Sequence, residues 1–282
     1  MRPGHWPDRA GRSASVVLGL WGALLACPAF AQSAAATCDA DDVAAVAAIA
    51  TSGVVGGAAA AVPVDRLVAQ SCKPWPNDAA IRLAAIAFAG DAETVPGERD
   101  LELRVAMLDA AGGKVLAFYA QAMGEDAAFE LAADSLRLDT ARYDLTKGVR
   151  AIGVVVRSAA RGPSCPDFYS NQALTLLVRE GRSLRPVLQR DLYAWQRVKG
   201  EPCSLGKGDV ITEVANLSVS MAPQVHAGYA DIVLTANVST VESAAGSDTD
   251  TERARRVRQV LRYNGQRYVP VAGGDHSWPF DN

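Results

Sequence analysis

The sequence predicts a mainly β fold: antiparallel sheets built from hairpins, as a sandwich or an irregular propeller-like arrangement, behind a short helical N-terminal lead-in. Three observations carry that expectation. From Ile81 onward apolar residues recur with period two. Turn-forming residues punctuate these runs at Ala110–Gly113, Glu180–Arg182 and Asn264-Gly265. With 49% hydrophobic and 21% charged residues, the 282-residue chain has ample material for a core and too little charge for disorder.

The elements follow in order. Arg2, Arg9 and Arg12 precede an apolar run from Ala14 to Ala26, and the small triplet Ala29-Phe30-Ala31 comes before Gln32. That is the pattern of a secretory signal peptide, residues 1–31, cleaved after Ala31. The run is shorter than the ~20 apolar residues of a membrane anchor, so no integral span is expected after removal. Leu24-Leu25-Ala26-Cys27 loosely matches a lipoprotein site, and the alternative is a chain lipid-anchored through Cys27. Either way the destination is periplasmic or secreted.

Residues 32–80 read as a disulfide-tethered lead-in of helix and loop. A helix is expected from the Asp39-Asp41-Asp42 cluster to Ile49, since acidic residues favour a helix N-terminus. Gly53, Gly56 and Gly57 end it. A second short helix is expected over Val64 to Ala69, then a rigid loop from Lys73 to Asp78 set by Pro74 and Pro76. Without the signal peptide four cysteines remain: Cys38, Cys72, Cys165 and Cys203. An even count in an exported chain implies two disulfides with three possible connectivities. Locality selects Cys38–Cys72, stapling the lead-in, and Cys165–Cys203, bracketing a hairpin.

The antiparallel β domain covers 81–272, with a tail at 273–282. Leu101, Leu103, Val105 and Met107 alternate with Glu102, Arg104 and Ala106, as in a half-buried strand. A glycine turn returns the chain through Lys114 to Tyr119. Further strands are expected at Val149–Val156, Leu174–Arg179 with Leu184–Leu188, Ala215–Met221, Tyr229–Val238, and Val257–Tyr263 with Gln266–Val271. The last pair is joined by Asn264-Gly265, a two-residue hairpin signal. Strand, polar excursion, then hairpin recurs from Ile81, Val149 and Tyr229. This is either a repeated blade-like unit or one hairpin device used three times.

Function is less legible. Removal of 1–31 leaves 25 basic and 30 acidic side chains, which argues against nucleic acid as a partner. The G-x-S-x-G, H-E-x-x-H, P-loop and Rossmann signatures are missing from the sequence, and no catalytic residue or cofactor is expected. His226 and His276 have no ligand-like spacing to a cysteine, so no metal site is expected. His226 and Asp231 have two readings: a triad completed by a serine, or an exposed turn histidine beside an aspartate bonding backbone. Asp248, Asp250 and Glu252 space carboxylates alternately, as a hard cation could use, but lack the frame of an EF-hand and read as a polar loop.

Weak binding candidates are Trp75, Trp195, Arg256, Arg258 and Arg262. On a strand the three arginines share a face opposite Val257, Leu261 and Tyr263, either solvated and paired with the acidic loop, or binding an anion or glycan. Trp75, Trp195, Tyr143, Tyr169 and Tyr193 would suit a carbohydrate platform unless they belong to the core.

Several strings resemble uncharacterised secreted proteins of Gram-negative bacteria: Cys72-Lys73-Pro74-Trp75-Pro76, Leu136-Arg137-Leu138-Asp139-Thr140, Leu177-Val178-Arg179-Glu180-Gly181 and Leu261-Arg262-Tyr263-Asn264-Gly265. The Gly228-Tyr229-Ala230-Asp231 strand is also distantly similar to FG-GAP-type propeller blades, whose aspartate-rich calcium loops are missing from this sequence. The resemblance implies an exported β protein and no catalytic residue. The expected function is that of a non-enzymatic β domain binding an envelope protein or glycan. The alternative is a carboxylate-dependent hydrolase of an envelope polymer.

Overall fold

The computed structural model describes residues 37–50, 61–90, 98–201, 203, 208–271 and 278. The residues read as a signal peptide, the Gly53–Gly57 break and, apart from Trp278, the tail lie outside the described residues. What is described is mainly β: one short helix, α1 (Ala40–Ala47), one 3-10 turn (Val64–Arg66) and twelve strands in a single branched, mostly antiparallel sheet.

Three four-stranded meanders compose it. The first is β1 (Leu67–Pro74), β2 (Ile81–Ala89), β3 (Arg99–Asp109) and β4 (Val115–Glu125). The second is β5 (Leu136–Thr146), β6 (Val149–Val156), β7 (Phe168–Glu180) and β8 (Ser183–Lys199). The third is β9 (Val210–His226), β10 (Tyr229–Ser243), β11 (Thr251–Tyr263) and β12 (Tyr268–Pro270). Within each, neighbours pair antiparallel. The recurrence noted from Ile81, Val149 and Tyr229 falls on the second to fourth strands of each meander. The 17-residue β8 is the hub: it meets β4 through one parallel pair, Phe118–Ser183, and runs antiparallel to β9 from Tyr193.

The lead-in differs from expectation at the second helix and at the start of the loop after it, since Lys73 and Pro74 are paired strand residues. The helix expected over Val64–Ala69 is a single 3-10 turn, and Leu67 begins β1, which pairs with β2 from Leu67–Phe88 to Pro74–Arg82. Ladder bonds to β2, with Ala69 and Cys72 buried, override the local helical reading. β1 therefore belongs to the sheet, although it precedes Ile81.

α1 lies on β2 and β3. Val43, Val46, Ala47 and Ile49 pack on Ala84, Ile86, Phe88, Ala106 and Leu108, and the Cys38–Cys72 disulfide, with Cα atoms 4.9 Å apart, ties its start to β1. Arg82 holds the helix N-terminus by pairing with Asp39 (3.1 Å) and Asp42. The opposite side of β2 and β3 carries Leu83, Ala85, Leu101, Leu103, Val105 and Met107 in a second core. β3 is thus buried on both sides, not on one. A further core joins the second and third meanders through Leu145, Leu174, Leu176, Val187, Ile232, Leu234 and Leu261.

Other differences are local. β5 has no counterpart among the expected strands. Its apolar residues jump from Leu138 to Tyr143 across a register shift, which breaks the period of two. Opposite it, a Cβ on Gly153 would lie 2.9 Å from Asp139 Cβ and 3.1 Å from Asp139 O, so only glycine fits. Asn264-Gly265 is not a two-residue turn. The ladder closes at Tyr263–Tyr268, and Asn264 Oδ1 accepts from the amides of Gln266 (3.0 Å) and Arg267 (2.9 Å) in a four-residue loop. Two-residue turns lie instead at Lys147-Gly148, Gly181-Arg182 and Ala227-Gly228, the last with both residues at positive φ (48° and 89°) between the paired His226 and Tyr229.

Candidate functional site

Strand register decides which side chains can act together. Along β8, Leu192 and Ala194 turn inward, while Tyr193, Trp195 and Arg197 turn the other way. Pairing extends that outer side across the neighbouring strands. One row runs Asn171, Tyr193, Asn216, Asn237, Arg256; the next runs Tyr169, Trp195, Val214, Ser239, Ala254; a third joins Ser218, Thr235 and Arg258. At about 4.8 Å per strand, Tyr193 and Arg256 are roughly 14 Å apart.

The aromatic end is half-exposed and lies outside every core cluster. Tyr169 and Tyr193 meet edge-on with centroids 6.2 Å apart, and Arg197 lies 6.0 Å from the Trp195 ring. Asn171 fixes this end. Its Nδ2 donates to Tyr169 Oη (2.5 Å) and Ser158 O (3.1 Å), while its Oδ1 accepts from the amides of Ser158 and Gln172. Arg197 donates to Pro166 O (2.6 Å) and Glu201 O (2.8 Å), on the two loops that the Cys165–Cys203 disulfide closes, with Cα atoms 5.7 Å apart. Both disulfides thus have the connectivity that locality predicts.

The polar end is open. Asn216, Asn237, Arg256 and Arg258 are exposed, and Arg256 Nε donates to Asn237 Oδ1 at 3.0 Å. Asn216, Asn237, Ser239, Ala254 and Arg256 border a shallow groove of about 480 Å³. Trp195, Arg256 and Arg258 therefore share one face with Tyr169 and Tyr193. Arg262 is on the same side of β11 but towards its end, with Nε 3.9 Å from Asp231 Oδ2. Trp75 is elsewhere, half-buried against the core under β1 and β2. Tyr143 is buried in the core, its Oη 3.1 Å from Asp139 Oδ2; burial, with the neighbouring carboxylate, pushes its phenol well above the usual range. The two asparagines were not singled out from the sequence. Alternation places each on an outer side, but only the register makes them neighbours.

The recorded carboxylate partners of the arginine run lie on other strands, not in the Asp248–Glu252 loop. Arg253 lies 3.5 Å from Glu242. Arg255 donates to Glu213, which also accepts from Thr240 Oγ1 (3.0 Å) and Gln196 Nε2 (3.2 Å). The Arg255 hydrogen bonds, outweighing burial, hold the Glu213 carboxyl below its usual range. Glu252 accepts from Ser239 Oγ at 2.6 Å. Among the described residues, no three His, Cys, Asp or Glu side chains converge in a way that could hold a metal ion.

Two other features could bear chemistry. His226 Nδ1 lies 2.6 Å from Oδ1 of Asp231, a nearly fully buried carboxylate at a register shift in β10. The aspartate therefore orients the ring, as in a His–carboxylate couple. No hydroxyl or thiol is among the described hydrogen-bond partners of the pair. Beside β7 and β8 lies a cleft of about 850 Å³, bordered by Met123, Phe129, Phe168, Leu217 and Trp278, with Asp191 the one acidic residue among its described lining residues. Among the described residues, no helix is long and apolar enough to cross a membrane. No protein-family model, curated protein or solved structure matches the chain.

Proposed function

We propose that this chain is a non-enzymatic β domain, exported to the periplasm or beyond, that binds an envelope glycan across the outer face of β8 to β11. The observation that carries the reading is one face on which half-exposed Tyr193 leads along its row into the open amides of Asn216 and Asn237 and the Arg256 guanidinium, with half-exposed Trp195 in the adjacent row. Aromatic rings stack on the apolar faces of sugars, and amides offer a donor and an acceptor to neighbouring hydroxyls. Two disulfides on a scaffold of this kind suit an oxidising compartment. The hydrolase reading needs two carboxyl groups about 5–9.5 Å apart across a cleft. Asp191 is the one acidic residue among the described residues lining the larger cleft, and the aromatic and amide face supports the binding reading more directly.

The test is isothermal titration of the full chain against a panel of soluble envelope glycans, neutral and acidic. Binding should fall at least tenfold in Trp195→Ala and in Asn216→Ala, with thermal midpoints close to wild type. Binding that survives both substitutions overturns the assignment to this face. Sugar release on incubation would restore the enzyme reading.

A further inference from the structure

We infer that the glycan held on this face is acidic, its carboxylate or phosphate groups seated over Arg256 and Arg258. The inference rests on the glycan reading and adds the charge class of the ligand. β11 carries five arginines. Three have a carboxylate close by: Arg253 with Glu242, Arg255 with Glu213, and Arg262 with Asp231. Arg256 and Arg258 have no carboxylate partner among the described residues, and the Arg256 hydrogen bond to Asn237 is to a neutral amide. The two uncompensated cations are thus the ones on the aromatic and amide face.

Their surroundings sharpen the point. Arg256 and Arg258 are two residues apart on one side of a strand, so their stems are about 7 Å apart. The outward residues beside them on β9 and β10, Asn216, Ser218, Thr235 and Asn237, are neutral. The outward carboxylate of β11, Glu252, is four residues from Arg256 and bonded to Ser239 Oγ. The chain as a whole carries a formal net charge of −3, so this is a local basic field on an acidic molecule, which selects an anion by position and not by bulk charge. Guanidinium groups match carboxylate and phosphate oxygens two at a time. A neutral sugar would leave both cations without a counter-anion.

The probes are polygalacturonate, the neutral galactan made by reducing its carboxyl groups, a phosphomannan and its dephosphorylated mannan. They are titrated into the full chain, the Arg256→Gln/Arg258→Gln double variant and Trp195→Ala. The expected result is about tenfold tighter binding of an acidic polymer than of its neutral counterpart. That preference should vanish in the double variant, which keeps the weaker neutral binding, while Trp195→Ala weakens all binding. The uronate and phosphate arms tell which anion is preferred. Equal binding of acidic and neutral polymers overturns this inference and leaves the glycan reading standing. No binding of any polymer overturns both. Binding of acidic polymers that ignores Trp195→Ala and disappears in 0.5 M salt is ion exchange at the surface and also overturns it.

Discussion

β3 and β11 look alike as strings: each alternates apolar residues with charged ones, Glu102 and Arg104 in the first, Arg256 and Arg258 in the second. In the fold they are opposites. Arg104 is fully buried, with Nε on Glu102 Oε1 (2.8 Å), Nη1 on the carbonyls of Val46 (3.0 Å) and Ala47 (2.8 Å), and the Phe88 ring 5.7 Å away. Arg256 and Arg258 stand exposed. The difference lies outside both strands: α1, stapled by Cys38–Cys72, covers the first face, and no described element covers the second. Alternation tells which side chains share a side of a strand. Whether that side is covered is a tertiary fact.

The covered side should be the more fragile. Arg104→Ala leaves the nearly buried Glu102 carboxylate without its guanidinium and the last carbonyls of α1 without their donor. The expected loss is about 3–5 kcal/mol in urea unfolding. Replacing the pair together, Arg104→Met with Glu102→Leu, should cost much less, because no charge is stranded. If Arg104→Ala is as mild as a surface substitution, the side is not sealed.

Removing the staple tests the cover itself. In Cys38→Ala/Cys72→Ala a closure spanning 34 residues is lost, for an expected destabilisation of about 3–4 kcal/mol. Amide exchange should quicken first in α1 and then along β2 and β3, while β9 to β11 keep their protection. Uniform acceleration throughout would mean that the staple supports the whole sheet and not one side of it.

How much of this was legible follows from the same contrast. The arginines of β11 emerge opposite Val257, Leu261 and Tyr263 as alternation requires, since that strand is wet on one side. The two disulfides were legible because each joins cysteines bordering one local section. The strand of Arg104 reads as half-buried, and its second side is buried because its cover is a helix more than fifty residues away in the chain. β1 was hidden by a helical start and β5 by a register shift that moves its apolar residues out of phase. Of the candidate site, Trp195, Arg256 and Arg258 were visible as residue types. Asn216 and Asn237 acquired meaning only from the β9–β10–β11 register, which no single strand encodes. Trp75 and Tyr143 were drawn away by packing.

Acid titration separates two buried carboxylates of opposite sign. Glu213 is held low by Arg255, so its contribution is complete above the usual glutamate range and is lost as pH falls through its lowered value. Glu213→Gln should therefore be less stable at neutral pH and show a flatter acid limb. Asp42, under α1, is shifted upward by burial, which Arg82 only partly offsets. Its contribution is present at low pH and lost as pH rises through the raised value. Asp42→Asn should then gain stability more steeply than wild type as pH rises above the usual aspartate range. Parallel profiles for both variants would show that burial, and not the arginine partner, governs each group.

The smallest expected effect is on the open side. Arg258→Gln removes an exposed cation that touches no carboxylate among the described residues, and Arg256→Gln gives up a hydrogen bond to an exposed amide. Each should change unfolding free energy by no more than about 0.5 kcal/mol, against several for Arg104. Arg255 is the internal control. It is their neighbour on β11 but turns to the other side, onto Glu213, whose side chain is 11% exposed. Arg255→Gln should cost about 1–2 kcal/mol, in the range for hydrogen bonds to a charged group at a half-open site. Urea titrations of the three variants side by side then read the two sides of one strand. If Arg256→Gln or Arg258→Gln matches Arg255→Gln in cost, their charges are already committed within the fold. The face they occupy would then have no uncompensated cation to offer a ligand.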